Sequence, residues 1–312
     1  MPTWSRALSR QPRLDFRGHI PYDSKELPDL TAKPIAVTPS LAGELDARAD
    51  VRLGVALHWF FRVGVLMEFL GHGLAGVSLK EGWIRYFQVF GFDRPTVLTL
   101  MPIVGTIDIS LAILGFLSPR RWALAYCAFW GLMTAVLRPI AGESFWEVLD
   151  RAGNFGGPLA FLLLSGLPRN PREWFEPIRI GPVSRETMKR VALVLQWITG
   201  LVLIGHGAYG ALLQKQQLLD QYTRAGLTSL PLLGSRFESW LGWVEMALGA
   251  VILVKPLRPL LLAACTYKLA TELLYPLTGY PLYEFVERGF TYVAPFALFL
   301  LTPYLNATQS KG

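Results

Sequence analysis

The sequence predicts an all-α polytopic membrane protein with eight transmembrane helices, arranged as two tandem, parallel four-helix bundles. Of the 312 residues, 52% are hydrophobic and only 17% are charged, whereas soluble globular chains carry about 25% charged residues. The apolar residues fall in long blocks, several of which approach the roughly 20 residues that a helix needs to cross a bilayer. An internal repeat of these blocks is the third observation behind the prediction.

Eight apolar blocks are separated by polar turns. They lie at residues 53–77, 96–117, 122–140, 145–167, 191–213, 237–254, 260–277 and 283–304. A polar, proline-rich segment divides them into two groups of four. The expected parts are an N-terminal arm at 1–52, a first four-helix unit at 53–167, a linker at 168–190, a second unit at 191–304 and a tail at 305–312.

The distribution of Lys and Arg predicts that both termini are cytoplasmic and that the host is the cytoplasmic (inner) membrane of a cell. Basic residues concentrate in the arm, in the linker, and in the turns at Arg120–Arg121 and Lys255–Arg258. Because cytoplasmic loops carry an excess of Lys and Arg, these segments are placed inside. The same rule explains the net charge of +7, so the lipid bilayer is an expected partner and nucleic acid is not.

The two units repeat each other in sequence. GHGLAG at Gly71–Gly76 recurs as GHGAYG at Gly205–Gly210. From Asp108 onward, matching positions keep one constant spacing along the chain, so Asp108 aligns with Glu245. An even number of spans gives both units the same orientation, related by an axis along the membrane normal.

Ionisable residues within the blocks mark the candidate site. Each such residue costs about 2.5–3.5 kcal/mol at the centre of a span, so it usually faces the interior of the protein. The expected topology brings one set together in the outer half of the membrane in each unit. The first set is His72, Asp108, Arg138, Glu147, Asp150 and Arg151, and the second is His206, Glu245, Tyr275, Glu284, Glu287 and Arg288.

The acids and arginines of these sets have two explanations. Glu147 precedes Arg151 by four residues, as Glu284 precedes Arg288, which favours an ion pair on a helix. The pairs either close the outer end of the bundle or take part in catalysis. In the second case Asp108 and Glu245 relay protons. The catalytic candidates are Asp108, Glu245, Arg138, Glu147, Arg151, Glu284 and Arg288.

The histidines of the two repeated motifs are the candidates for cofactor binding. Each is flanked by glycines, including Gly73 after His72 and Gly207 after His206. Such small residues suit close helix packing or a flat ligand against the backbone. A neutral histidine hydrogen-bonds a quinone oxygen or ligates haem iron. Quinone and haem are therefore the two candidate cofactors, and no separate metal site is expected.

The two units are not equivalent. Lys268 and Glu272 lie four residues apart in the seventh block, where the first unit has Gly131 and Ala135. Arg62 in the first block aligns with an uncharged glutamine. This difference suggests that one unit keeps an ancestral role while the other has diverged.

Each unit resembles the DoxX-like family of four-helix membrane proteins, over about residues 53–167 and 190–304. The motifs of the first unit are Arg62, His72-Gly73, Asp108, and Trp146-Glu147 with Asp150-Arg151 before Pro158. Those of the second are His206-Gly207, Glu245, and Glu284 with Glu287-Arg288 before Pro295. The family includes DoxD-type subunits of a thiosulfate:quinone oxidoreductase. This chain departs from it as a tandem fusion in which Arg62 is not repeated.

The leading hypothesis is an integral membrane subunit of a redox system that interacts with quinone, together with partner subunits. Arg138 and Arg151 would attract a small anionic donor from the outer side. A non-catalytic structural or assembly subunit of a larger complex is the first alternative. A small proton-coupled transporter is the second, and its weakness is the absence of broken helices at mid-membrane.

Overall fold

The protein is seen in a computed structural model that describes residues 39–229 and 236–306. Contacts divide the chain into Met1–Glu44 and Leu45–Gly312. The described residues of the first part, 39–44, are helical, and the candidate site lies wholly in the second part. Most of the expected arm (residues 1–38) and of the expected tail (residues 307–312) lies outside the described residues.

Helices make up the described structure, and no β-strand occurs in it. The α-helices are α1 (Pro39–Val77), α2 (Ile84–Gln88), α3 (Arg94–Leu117), α4 (Arg121–Ile140), α5 (Trp146–Asp150), α6 (Ala152–Leu164), α7 (Arg185–Ala211), α8 (Gln216–Arg224), α9 (Phe237–Val254), α10 (Arg258–Leu277), α11 (Leu282–Val286) and α12 (Gly289–Asn306). Short 3₁₀ turns lie at Glu81–Trp83, Pro171–Trp174 and Leu227–Ser229. The predicted all-α class is therefore confirmed.

Six helical segments among the described residues are long and apolar enough to cross a membrane. They are Asp50–Val77, Arg94–Leu117, Arg121–Ile140, Arg185–Ala211, Phe237–Val254 and Leu282–Pro303. Each of them overlaps one of the eight blocks expected from the sequence. The chain thus has the composition and helix lengths of a membrane protein.

The other two expected spans differ from a plain apolar helix. The block at 145–167 is broken into α5 and α6, and α6 has only 13 residues. α10 has 20 residues, but its buried residues include Lys268 and Glu272. The expectation of unbroken helices is therefore wrong for the fourth block, and the same break recurs between α11 and α12.

The helices repeat in register with the sequence motifs. The first and last residues of α10 follow those of α4 by the same number of residues as Glu245 follows Asp108. The last residues of α1 and α7 are separated by the same number of residues as the two GHG motifs. The turns that follow α4 and α10 contain Gly142 and Gly279, whose φ values are +88° and +90°. Glycine adopts this left-handed conformation without strain, so the same turn ends both helices.

Each repeat packs its first long helix against the fourth block of the other repeat. Gly71 of α1 lies so close to Glu287 that an added Cβ would be 2.6 Å from the Glu287 Cβ. Gly205 of α7 lies equally close to the backbone of Asp150. Phe290 of α12, fully buried, packs against Gly64 of α1. The two repeats therefore share one core.

The basic turn between α3 and α4 binds the linker at the opposite end of the helices. Arg121 donates hydrogen bonds to the carbonyl oxygens of Ser165 and Gly166, both at 2.8 Å. The last carbonyl groups of a helix have no partner within it, so Arg121 caps the end of α6. This turn thus has a structural role besides its expected effect on topology.

Candidate functional site

A cavity of about 530 Å³, called here the shared chamber, lies between the two repeats at the end where α1 and α7 stop. Its charged lining residues are Lys80, Arg85, Arg138, Glu143, Glu147, Arg151, Lys215, Glu284 and Arg288. His206, Tyr209 and Tyr275 also border it. Most members of the two predicted sets therefore do come together, but around one cavity and not two.

Each repeat sends a lysine to an acid of the other repeat. Lys80, after α1, places its Nζ 2.6 Å from Oε1 of Glu284. Lys215, after α7, contacts Oε1 of Glu147. Because Glu147 and Glu284 occupy matching positions, the exchange is reciprocal. Neither lysine is among the site residues predicted from the sequence, although each follows its motif histidine by little more than two helical turns.

Replacing Lys80 or Lys215 with methionine is expected to lower the free energy of unfolding by about 1–2 kcal/mol. The lysine side chains are 24% and 35% exposed, so the loss is smaller than for a fully buried pair. Thermal unfolding of the detergent-purified variants measures the effect. Lys255→Met, at an exposed lysine, is the control, and an unfolding temperature equal to that of the control contradicts the prediction.

The expected pair between Glu284 and Arg288 forms, with Nη1 and Oε2 3.4 Å apart. The matching pair between Glu147 and Arg151 does not occur among the described contacts. Glu147 instead accepts hydrogen bonds from Arg138 at 3.4 Å and from the hydroxyl of Tyr209 at 2.7 Å. The second repeat has Tyr275 in place of Arg138, so Glu284 keeps its local arginine.

The arginines of the chamber also have acidic partners. Arg138 lies 3.0 Å from Glu143. Arg151 lies 3.5 Å from Glu287, across the boundary between the repeats. Arg288 lies 3.1 Å from both Glu287 and Glu272. The chamber is therefore a network of paired charges and is not purely basic.

A second cavity of about 90 Å³, called here the first-repeat pocket, lies within the first repeat. Its lining residues include His72, Trp83, Tyr86, Phe87, Phe90, Asp108, Trp130, Met133, Ala135, Arg138, Arg151 and Asn154. Trp83, Tyr86, Arg138 and Arg151 border both cavities. The pocket and the chamber are thus adjacent, and one wall separates them.

His72 and Asp108 are two polar groups of this pocket that can form further hydrogen bonds. His72 Nε2 lies 2.9 Å from the amide nitrogen of Asn154. An amide nitrogen only donates, so Nε2 accepts and the ring proton is on Nδ1. Asp108 is 2% exposed, and its Oδ1 has no hydrogen-bond partner in the described structure. A buried polar atom without a partner is costly, which marks this position as one that a ligand would complete.

The wall between the cavities is held by the turn that joins α4 to α5. Glu143 in this turn accepts a hydrogen bond from the hydroxyl of Tyr86 at 2.6 Å, and Arg138 lies over the Tyr86 ring. Burial raises the pKa of the Tyr86 phenol well above its usual range. The phenol therefore stays protonated at neutral pH and keeps donating to Glu143.

The acid of the second repeat has a different environment. Glu245 accepts a hydrogen bond from Tyr267 at 3.1 Å and lies 2.8 Å from Nδ1 of His206. Lys268 lies 3.4 Å from Glu245 and 2.7 Å from Glu272. The polar groups that match His72 and Asp108 are thus occupied by side chains of the chain itself.

The motif glycines take part in helix packing. A Cβ on Gly73 would lie 2.6 Å from the carbonyl oxygen of Gly105 in α3. A Cβ on Gly207 would lie at the same distance from the carbonyl oxygen of Gly242 in α9. Both glycines therefore face a neighbouring helix backbone, and neither borders the two cavities. Close packing accounts for them without a flat ligand.

A haem held by both motif histidines stays a prediction, and the two histidines border different cavities. His72 borders the first-repeat pocket, whereas His206 borders the shared chamber. One ring nitrogen of each is already hydrogen-bonded, to Asn154 and Glu245 respectively. Asn154, which orients His72, was missed from the sequence because it follows the recognised Asp150-Arg151 motif by one turn and is a threonine in the second repeat.

The fold and the two cavities define the class of the protein as a helical membrane protein with a buried polar site. No protein-family model, curated protein or solved structure matches the chain. The resemblance to the DoxX-like family stays a prediction based on the motifs.

Proposed function

We propose that the chain is an integral membrane subunit of a quinone-linked redox system, with its site in the outer half of the membrane. The observation that carries this proposal is the first-repeat pocket. There His72 offers a donor and Asp108 an unpartnered carboxyl oxygen among aromatic side chains. A quinone ring needs an apolar, aromatic surrounding and polar groups at its oxygens.

The residues of the pocket have distinct parts in this proposal. Nδ1 of His72 would donate a hydrogen bond to a carbonyl oxygen of the quinone, while Asn154 holds the imidazole through Nε2. Asp108 holds or releases a proton at its carboxyl group. Trp83 and Tyr86 separate the ring from the polar chamber. When bound, a quinone supplies two-electron, two-proton redox chemistry.

The size of the pocket limits how such a ring enters. Its volume of about 90 Å³ is smaller than the roughly 150 Å³ of an engineered cavity that binds benzene. The ring must therefore displace part of the wall shared with the chamber. That wall is carried by Trp83 and the short helix α2, the element we expect to move on binding.

The membrane arrangement that goes with this proposal has eight crossing segments in two repeats, with both termini in the cytoplasm of the cell. The recurrence of helix ends at matching positions of the two repeats supports counting α10 and the α5–α6 segment with the other spans. The acids and bases of α10 lie inside the protein, where such residues are tolerated.

Titration with a short-chain ubiquinone tests the proposal through tryptophan fluorescence, because Trp83 and Trp130 border the pocket. We expect saturable quenching of the protein in nanodiscs. His72→Ala is expected to weaken binding about tenfold, the loss of one hydrogen bond worth about 1.4 kcal/mol.

His206→Ala is the matched control, since this histidine occupies the same place in the other repeat. It should leave the dissociation constant for the quinone unchanged. Replacing Trp83 and Trp130 with phenylalanine should reduce the quenching signal. Equal affinity in wild type and His72→Ala would contradict the assignment.

A structural or assembly subunit is the second candidate, and the paired charges of the chamber favour it. Arg138, Arg151 and Arg288 each have an acidic partner. The electrostatic attraction of the chamber for a small anionic donor is therefore weaker than it would be if these arginines were unpaired. A stoichiometric partner protein, co-purified with a chain that binds no quinone, would favour this function.

The transporter hypothesis gains one observation from the fold. The fourth block of each repeat is broken, at Arg151 and at Glu287–Arg288, and broken helices form binding sites in many transporters. These breaks lie near one end of the segments and not at their middle. The quinone-linked function therefore has the better support.

A further inference from the structure

We infer that, among the residues that the structure describes, the ligand site is the first-repeat pocket, and that Lys268 in the second repeat occupies the place that a ligand's hydrogen-bond donor takes at Asp108. The identity of the ligand rests on the proposed function, whereas the location of the pocket does not. The two repeats differ at the positions that surround this acid.

The acids of the two repeats are equally buried but differ in their partners. Asp108 and Glu245 occupy matching positions and are 2% and 3% exposed. Oδ1 of Asp108 has no hydrogen-bond partner in the described structure. Glu245, by contrast, contacts His206, Tyr267 and Lys268. Asp108 also has a hydrogen bond from Trp130, the residue that matches Tyr267, so the acids differ in the further partners His206 and Lys268, which only Glu245 has.

The difference comes from α4 and α10, which begin and end at matching positions of the two repeats. Ala135 of α4 borders the first-repeat pocket, and the matching residue of α10 is Glu272. Gly131 matches Lys268, whose Nζ lies 3.4 Å from Glu245 and 2.7 Å from Glu272. The small Ala135 thus borders open space in the first repeat where the second has Glu272 of an ion pair, whereas Gly131 packs against the backbone of Asn154.

The hydrogen-bond partners of the two histidines also differ between the repeats. His72 is held by Asn154, and the matching residue of α12 is Thr291, which bonds to the backbone oxygen of Arg288. His206 therefore turns to Glu245 at 2.8 Å. In the first repeat the histidine and the acid both remain available to a molecule that enters between them.

Lys268 indicates the chemistry of that molecule. An ammonium group is a hydrogen-bond donor without acceptor capacity, and it completes the acid of the second repeat. The ligand of the first repeat should likewise present a donor to Asp108. A hydroxylated ring, such as the reduced form of a quinone, has this group and fits the aromatic lining.

A hydrophobic carbodiimide tests the location of the pocket without any ligand, because it reacts with accessible, uncharged carboxyl groups within membranes. The protein in nanodiscs is treated with dicyclohexylcarbodiimide, and the modification of Asp108 and Glu245 is followed by peptide mass spectrometry. Asp108 is expected to react at least about tenfold faster, equivalent to about 1.4 kcal/mol of pairing free energy held by Glu245 alone.

Three variants give the expected result a second check. Ala135→Phe fills the first-repeat pocket and should slow the reaction of Asp108, whereas Ala263→Phe, at an exposed position of α10, should not. Lys268→Met should make Glu245 reactive. Equal reactivity of the two acids in the wild type, or an unchanged rate for Asp108 in Ala135→Phe, would overturn the inference.

The same experiment separates this inference from the proposed function. A short-chain ubiquinol added before the carbodiimide should protect Asp108 and leave the rate at other acids unchanged. Fast labelling of Asp108 without protection by ubiquinol overturns the quinone assignment but keeps the single pocket. Protection together with labelling confined to Asp108 supports both.

Discussion

Replacing Gly71 or Gly205 with alanine is expected to destabilise the protein by roughly 3 kcal/mol or more, because an added Cβ overlaps a neighbouring backbone. On Gly71 it would lie 2.6 Å from Cβ of Glu287, and on Gly205 it would lie 2.9 Å from Cα of Asp150. Backbone atoms cannot turn aside as a side chain does. Alanine by itself favours a helix over glycine by about 1 kcal/mol, so any loss of stability comes from the contact between the repeats.

Thermal unfolding in detergent, with the fraction of protein that stays monodisperse, measures this loss. Gly82→Ala is the control, since nothing lies within 4 Å of a Cβ at that position. Gly153→Ala should have an intermediate effect, because its nearest neighbour is the Phe290 Cβ at 3.2 Å. If Gly71→Ala unfolds at the temperature of the Gly82→Ala control, the close contact between α1 and α11–α12 is not a feature of the folded protein.

Glu245→Gln and Asp108→Asn are expected to have opposite effects, although each removes the buried acid of one repeat. Glu245→Gln should cost about 3 kcal/mol, the lower end of the range for a broken buried ion pair, because Lys268 keeps Glu272 as a partner. Asp108→Asn should be neutral or stabilise by up to about 1 kcal/mol, since Oδ1 has no partner to lose and the amide oxygen of asparagine still accepts from Trp130.

Unfolding of the two variants side by side measures this contrast. The double variant Glu245→Gln/Lys268→Met should recover part of the loss, because it also removes a buried lysine that has lost one of its two acidic partners, while Arg288 still pairs with Glu272. A loss of stability in Asp108→Asn equal to that in Glu245→Gln would make Asp108 a structural residue. It would then remove the main support for a ligand in the first repeat.

The sequence predicts helix ends and the repeat well, because both depend on local patterns. Apolar blocks and prolines set the boundaries, so the block at 237–254 coincides with α9. The ion pair between Glu284 and Arg288 is predicted for the same reason, as the two residues are neighbours on one helical segment.

Contacts between separate elements are not encoded in local spacing. Nothing near Lys80 in the sequence indicates Glu284, and the contact depends on how the two repeats pack. Glu147 illustrates the same limit, because Lys215 and Tyr209 of the other repeat compete for it. The breaks in the fourth blocks were also missed, since Trp146–Leu164 is apolar enough to look like one helix.

The reciprocal packing of α1 and α7 has a consequence for how the chain is made. Gly71 is synthesised long before its contact residue Glu287, and a separation of roughly 200 residues corresponds to about 10–40 s at typical ribosomal rates of about 5–20 residues per second. During that interval α1 is already in the bilayer with its glycine-lined face against lipid. The insertion machinery must therefore retain α1, or shield it, until the last helices emerge and complete the core.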